Sequence, residues 1–178
     1  MKNVTLGIGI GLIISALMSM GIDNAESKPA PLTLLEKDVL IEVLLKEAAT
    51  ELKMNIPEKY SKNYPEIKVT EKTMVEWVVC KNTGCSALAA SVENYVFIAN
   101  EVNLRTIEGQ GIVYHELIHA LQYSKFGASP HCKEWVRREH EAYILQDKWV
   151  SARGLDLPWL TQVRDKLEGF CRDFTNKR

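Results

Sequence analysis

The sequence predicts an α+β fold, mostly helical, with one small antiparallel β-hairpin or sheet. Three observations point there. Apolar residues recur at helical spacing in several long segments. Two short apolar runs, Ser86–Val92 and Tyr95–Ala99, flank Glu93-Asn94 as hairpin strands flank a turn. Capping and stop residues bound the helical stretches. With 178 residues, 46% of them hydrophobic, the chain can bury one core and is too short for two ordinary domains.

Taken in order, Lys2 precedes an uncharged apolar run from Val4 to Ile22, closed by Asp23, Asn24 and Glu26. A basic start, an apolar centre and a polar exit describe an export signal over residues 1–22. Cleavage after Gly21 puts small residues, Ser19 and Gly21, at the two critical places, whereas cleavage after Ala25 would put Asp23 where a small residue is preferred. Left uncleaved, the same segment is an N-terminal anchor, the only membrane contact expected. Both alternatives place the folded part in the periplasm or outside the cell. A Pro-containing linker follows at 23–32, and the domain occupies 33–178.

From Thr33, the spacing of Leu34, Leu35, Val39, Leu40, Val43, Leu44, Ala48 and Leu52 predicts a long amphipathic helix. Thr33 is its cap, with Glu36 three residues on. Pro57 and Pro65 bracket a loop holding Tyr60 and Tyr64. Ile67–Val69 reads as a short strand, and Met74–Val79 fits helix or strand. A loop through Asn103 and Gly109 leads from the hairpin to a helix from Gln110 to Phe126, stopped by Gly127 and Pro130. Another spans Lys133–Arg153 and ends at Gly154. Pro158 opens the last, which reaches Phe174.

Lys plus Arg (22) and Asp plus Glu (23) nearly cancel, and no basic stripe is present, which argues against a nucleic-acid partner. Four cysteines in an exported chain favour two disulfides. Of three pairings, Cys80–Cys85 with Cys132–Cys171 is preferred. A four-cysteine zinc site would want two close pairs, and Cys132 and Cys171 are far apart.

The chemistry is carried by His115-Glu116-Leu117-Ile118-His119. On a helix the two histidines sit about 40° apart around the axis and one turn apart along it, so both imidazoles can face one ion. Glu116, about 100° on, flanks the ion and suits a general base acting on water that the metal activates. Val113, Leu117, Ala120 and Leu121 gather on the opposite side, which predicts a helix with a core face and a histidine face lining a cleft. Catalytic zinc usually has three protein ligands. On the 133–153 helix, Glu139 lies at the centre of an inward stripe formed by Trp135, Val136, Ala142, Tyr143, Gln146 and Val150. A buried carboxylate needs a compensating charge, which zinc supplies and which an arginine could supply instead. Glu141 falls among Arg137 and Lys148 as a solvated charge. His140 is about 100° off the stripe and can approach substrate. Glu139 is the expected third ligand, with Glu141 and His140 as the alternatives.

This pattern, with Glu139-His140-Glu141-Ala142 on a second helix, resembles the gluzincins, zinc peptidases whose third ligand is a helix-borne glutamate. The His115–Gln122 stretch, the Cys80/Cys85 pair and the Arg138–Gln146 stretch are similar to a family of small exported bacterial proteins of unassigned function. The resemblance covers roughly residues 65–150. It implies a minimal zincin-like domain holding Zn2+ through His115, His119 and Glu139, and it selects Glu139 because a glutamate precedes an alanine by three residues. It also implies pairing of a peptide substrate with a strand at the cleft edge, expected here to be Tyr95–Ala99. The expectation is an exported zinc metallopeptidase with Glu116 as general base and His140 or Tyr143 stabilising the oxyanion. The alternative is a non-catalytic zinc-binding envelope protein that grips peptide or protein partners.

Overall fold

The computed structural model describes residues 30–62, 64–80, 86–92 and 94–175. The proposed signal, most of the linker and the Cys80–Cys85 loop lie outside the described residues. Among the described residues there are six helices and three strands: α1 (Leu34–Glu51), α2 (Glu58–Lys62), β1 (Glu66–Thr70), α3 (Lys72–Cys80), β2 (Ala89–Val92), β3 (Tyr95–Ala99), α4 (Ile107–Phe126), α5 (Cys132–Ser151) and α6 (Pro158–Thr175). The fold is α+β and mostly helical, as the periodicity predicts.

Thr33 caps α1 in a full capping box, accepting from the Glu36 N–H while the Glu36 carboxylate accepts from the Thr33 N–H. Between the two prolines, the expected loop contains the short α2, whose Tyr60 is fully buried. Residues 72–80 settle as helix. Val75 and Val79, four apart, are buried against Ala87, Ala90 and Ala99, whereas Met74 and Trp77 face solvent. That spacing of four is helical.

The sheet differs from expectation in one respect. β2 and β3 form the antiparallel hairpin, with Val92 opposite Tyr95. β1 then joins β3 in parallel, giving a mixed sheet of order β1-β3-β2. Tyr95–Ala99 is therefore the central strand and not the cleft edge, and β2 is an edge. The parallel pairing is possible because α3 and the following segment carry the chain across between β1 and β3. Alternate residues of β3 face opposite ways: Val96 and Ile98 enter the main core and Phe97 and Ala99 the smaller one under α3.

α4 is the central element, packed by α1, α5 and the sheet. Its residues Ile112 to Ile118 are all buried, on every side of the helix. The expected division into a core face and an open histidine face is thus wrong: tertiary neighbours cover both. A Cβ on Gly111 would lie 2.7 Å from Val150 Cγ1 of α5, so the missing side chain permits the close approach of these two helices. α6 lies on α5, held by a Cys132–Cys171 disulfide and by buried Leu160, Val163 and Leu167.

Candidate metal centre

The site is built from α4 and α5. Residues four apart on a helix stack on one face, and His115 Nε2 stands 3.0 Å from His119 Nε2. Two ring nitrogens this close cannot both present lone pairs to each other without a proton or a cation between them. Glu139 approaches from α5, its Oε2 3.5 Å from His115 Nε2 and its Oε1 3.2 Å from His119 Nε2. His115 and Glu139 are 1% and 2% exposed, whereas the His119 side chain is 15% exposed, so the group meets solvent at His119. These three side chains form a group that can hold a metal ion.

Beside it lies Glu116, also buried. Oε1 of Glu116 and Oε2 of Glu139 are buried without a hydrogen-bond partner among the described residues. Neither carboxylate pairs with a lysine or arginine there. Arg138, the nearest such residue in sequence, bonds Glu134 and the Gly127 carbonyl instead. The arginine alternative for Glu139 finds no support.

Electrostatics follow from burial and from these neighbours. Burial pushes Glu139 up, but the charge of His119 and the close approach of both histidine rings outweigh it and hold the carboxyl at about 2. Burial pulls His119 down, and the Glu139 charge overrides it to about 9. Both shifts have one meaning: the pocket favours positive charge at His119 Nε2. Glu116 is raised, chiefly by burial, with the two histidines and Ser91 pulling the other way.

No protein-family model, curated protein or solved structure matches this chain.

The structure thus brings His115, His119 and Glu139 together, with Glu116 alongside. Tyr143 joins them: its ring centroid is 4.4 Å from that of His115, and burial raises its hydroxyl well above the usual value, so it stays protonated. His140 follows Glu139, is half-buried, and makes no hydrogen bond to the three among the described residues. Glu141 is part-exposed beside Arg137, as its helix position suggests, and in addition accepts a 2.9 Å bond from the Gln122 amide.

Two residues of this neighbourhood escape sequence reasoning. Gln122 bonds His119 directly, and its position three residues on, on the same helix face, is the signal that could have found it. Ser91 reaches Glu116 from β2. Nothing in the local sequence links the two, since the contact exists only once β2 packs on α4.

Proposed function

We propose that this chain is an exported zinc-dependent metallohydrolase of gluzincin-like type, acting as a peptidase. The convergence of His115, His119 and Glu139 carries the proposal. Zinc bonds of about 2.0–2.2 Å place tetrahedral donors about 3.3–3.6 Å apart. Here the two Nε2 atoms are 3.0 Å apart and the two oxygens of Glu139 stand 3.5 Å from His115 and 3.2 Å from His119, close to that spacing with two of the three slightly short of it. Two imidazoles and a carboxylate are a donor set that zinc accepts readily. A divalent cation would also offset the two buried carboxylates, Glu116 and Glu139, that no lysine or arginine matches among the described residues. Three protein ligands leave a fourth position free, whereas purely structural zinc sites usually fill all four from the protein.

Bound zinc supplies a Lewis acid that acidifies water and polarises a carbonyl. The remaining work falls to the chain. Glu116 accepts a proton at its unpartnered Oε1 and returns it to the leaving amine, a role suited to a raised carboxyl. Tyr143, held protonated, donates toward the developing oxyanion, with His140 as the alternative donor. An extended peptide adds to the edge strand β2, next to the Ser91–Glu116 contact. The apolar segment before residue 23 directs export.

The closure of the site favours one second reading. With His115 and Glu116 each 1% exposed, that reading is a non-catalytic zinc protein that binds peptide partners. Metal analysis of the purified domain, followed by cleavage of a mixed peptide pool with and without chelator, separates the two. The expected result is bound zinc and chelator-sensitive cleavage. Glu116→Gln should keep the metal and lose turnover by about 10²-fold or more, and His119→Ala should lose both. A zinc-loaded protein that cleaves nothing supports the second reading, and full activity in Glu116→Gln refutes the mechanism.

A further inference from the structure

Gln122 stands outside the metal group yet touches it, and Glu141 touches Gln122 in turn. His119 Nδ1 lies 2.9 Å from Gln122 Oε1. The Gln122 amide nitrogen donates to the Glu141 carboxylate at 2.9 Å and to the Arg138 carbonyl at 3.3 Å. Gln122 is 1% exposed, so its amide must find partners inside the protein.

Amide oxygen and nitrogen look alike in outline, and their assignment has to come from the partners. Here the partners decide it. A backbone carbonyl and a carboxylate only accept, so the NH2 must face Arg138 and Glu141. The amide oxygen is then left facing His119, and it accepts only from a protonated Nδ1. A neutral His119 is thereby confined to the tautomer whose Nε2 carries the lone pair, and Nε2 is the atom aimed at His115 and Glu139. Arg137 Nη1, 3.7 Å from Glu141, supports the charged end of the chain. His115 has no such support: its Nδ1 is buried without a partner among the described residues, and the ring is held by contact with Tyr143.

We propose that Gln122, anchored by Glu141 and the Arg138 carbonyl, is the positioning residue that orients His119 and sets its tautomer for metal binding. The proposal rests on the metal reading above. It also makes α5 contribute twice, once through Glu139 to the metal and once through Glu141 and Arg138 to the opposite edge of the His119 ring. Any shift of α5 relative to α4 therefore disturbs ligand and clamp together.

The test measures zinc affinity of the purified protein by competition with a chromogenic chelator, alongside thermal melting of the metal-free form and imidazole 15N spectra of the zinc form. Gln122→Met preserves length and removes the amide. It should weaken zinc about 10–100-fold, the usual cost of losing such a partner. Gln122→Glu keeps an acceptor for His119 but sets a second carboxylate against Glu141, and should also bind weakly. Adding Glu141→Gln to Gln122→Glu restores a donor between the two and should recover most of the affinity, which a merely structural role would not produce. Melting of the metal-free form monitors folding in every variant. Zinc affinity in Gln122→Met within twofold of wild type, with the His119 15N signals unchanged, overturns the clamp alone. Absence of zinc binding in the wild type overturns the metal reading and the clamp with it.

Discussion

Glu134 shows how a single side chain can set the acid response of the α4–α5 junction. It sits in the first turn of α5, accepts from Arg137 through two nitrogens and from Arg138 through one, and its carboxyl is held at about 2, below the ordinary 4.5, by those hydrogen bonds. A lowered folded value means that the ionised form stabilises the fold. The contribution is complete above about pH 4.5 and is lost as pH falls toward about 2. Glu134→Gln should be less stable than wild type near neutrality and should lose less on acidification through that window. Urea unfolding across the window checks this. An identical acid loss in both proteins would assign the effect to another group. Arg138 is nearly buried and also donates to the Gly127 carbonyl at the end of α4, so Glu134 is tied through it to the helix that bears the histidines. At this scale much was legible beforehand. His115, Glu116 and His119 were visible as a spacing, and Glu139 as a carboxylate in an apolar stripe. Glu141 lies part-exposed beside Arg137 as its helix phase indicates, but its bond to Gln122 was not legible, because helix phase reports which way a residue faces and not whether another element stands there.

Among the elements, the contact between α4 and α5 controls the site. Gly111 and Ala142 keep it close; the first lies against Val150 and the second is fully buried. Gly111→Ala should destabilise the protein. Its new methyl meets Val150 Cγ1, and overpacking of this kind costs about 1–3 kcal/mol, more than the about 1 kcal/mol by which alanine improves on glycine inside a helix. Adding Val150→Ala makes room for that methyl, so the double variant should be more stable than the two single losses predict. Chemical denaturation of the four proteins tests this, and strict additivity would show that the two positions do not press on each other. Periodicity found every long helix here to within a few residues. It could not find the partner of β1, because strand pairing depends on which segments α3 brings alongside, and a five-residue strand carries no record of that.

For the whole molecule, the Cys132–Cys171 disulfide spans 39 residues and joins the start of α5 to α6. Closing such a loop restricts the unfolded chain, and removal typically costs about 2–4 kcal/mol. Cys132→Ser with Cys171→Ser should lower the unfolding free energy by that amount, while zinc affinity stays close to wild type because Glu139 lies two turns further along α5. Reductant should lower the stability of the wild type by at least as much, and its effect should be smaller in the double variant, where only the expected Cys80–Cys85 bridge is left to reduce. A large fall in zinc affinity without a fall in stability would contradict this division between scaffold and site.

By itself the sequence determined the helical class, the bounds of the four long helices, the hairpin and the candidate ligands. These depend on local periodicity, on capping chemistry and on the fixed geometry of a helical turn. Only the tertiary structure decided that α4 is enclosed on all sides, that β2 and not β3 forms an edge, and that Glu141 reaches across from α5 to the Gln122 that holds the His119 ring. Each of these concerns what lies across a gap between elements distant in the chain, and no spacing within one element encodes its neighbour.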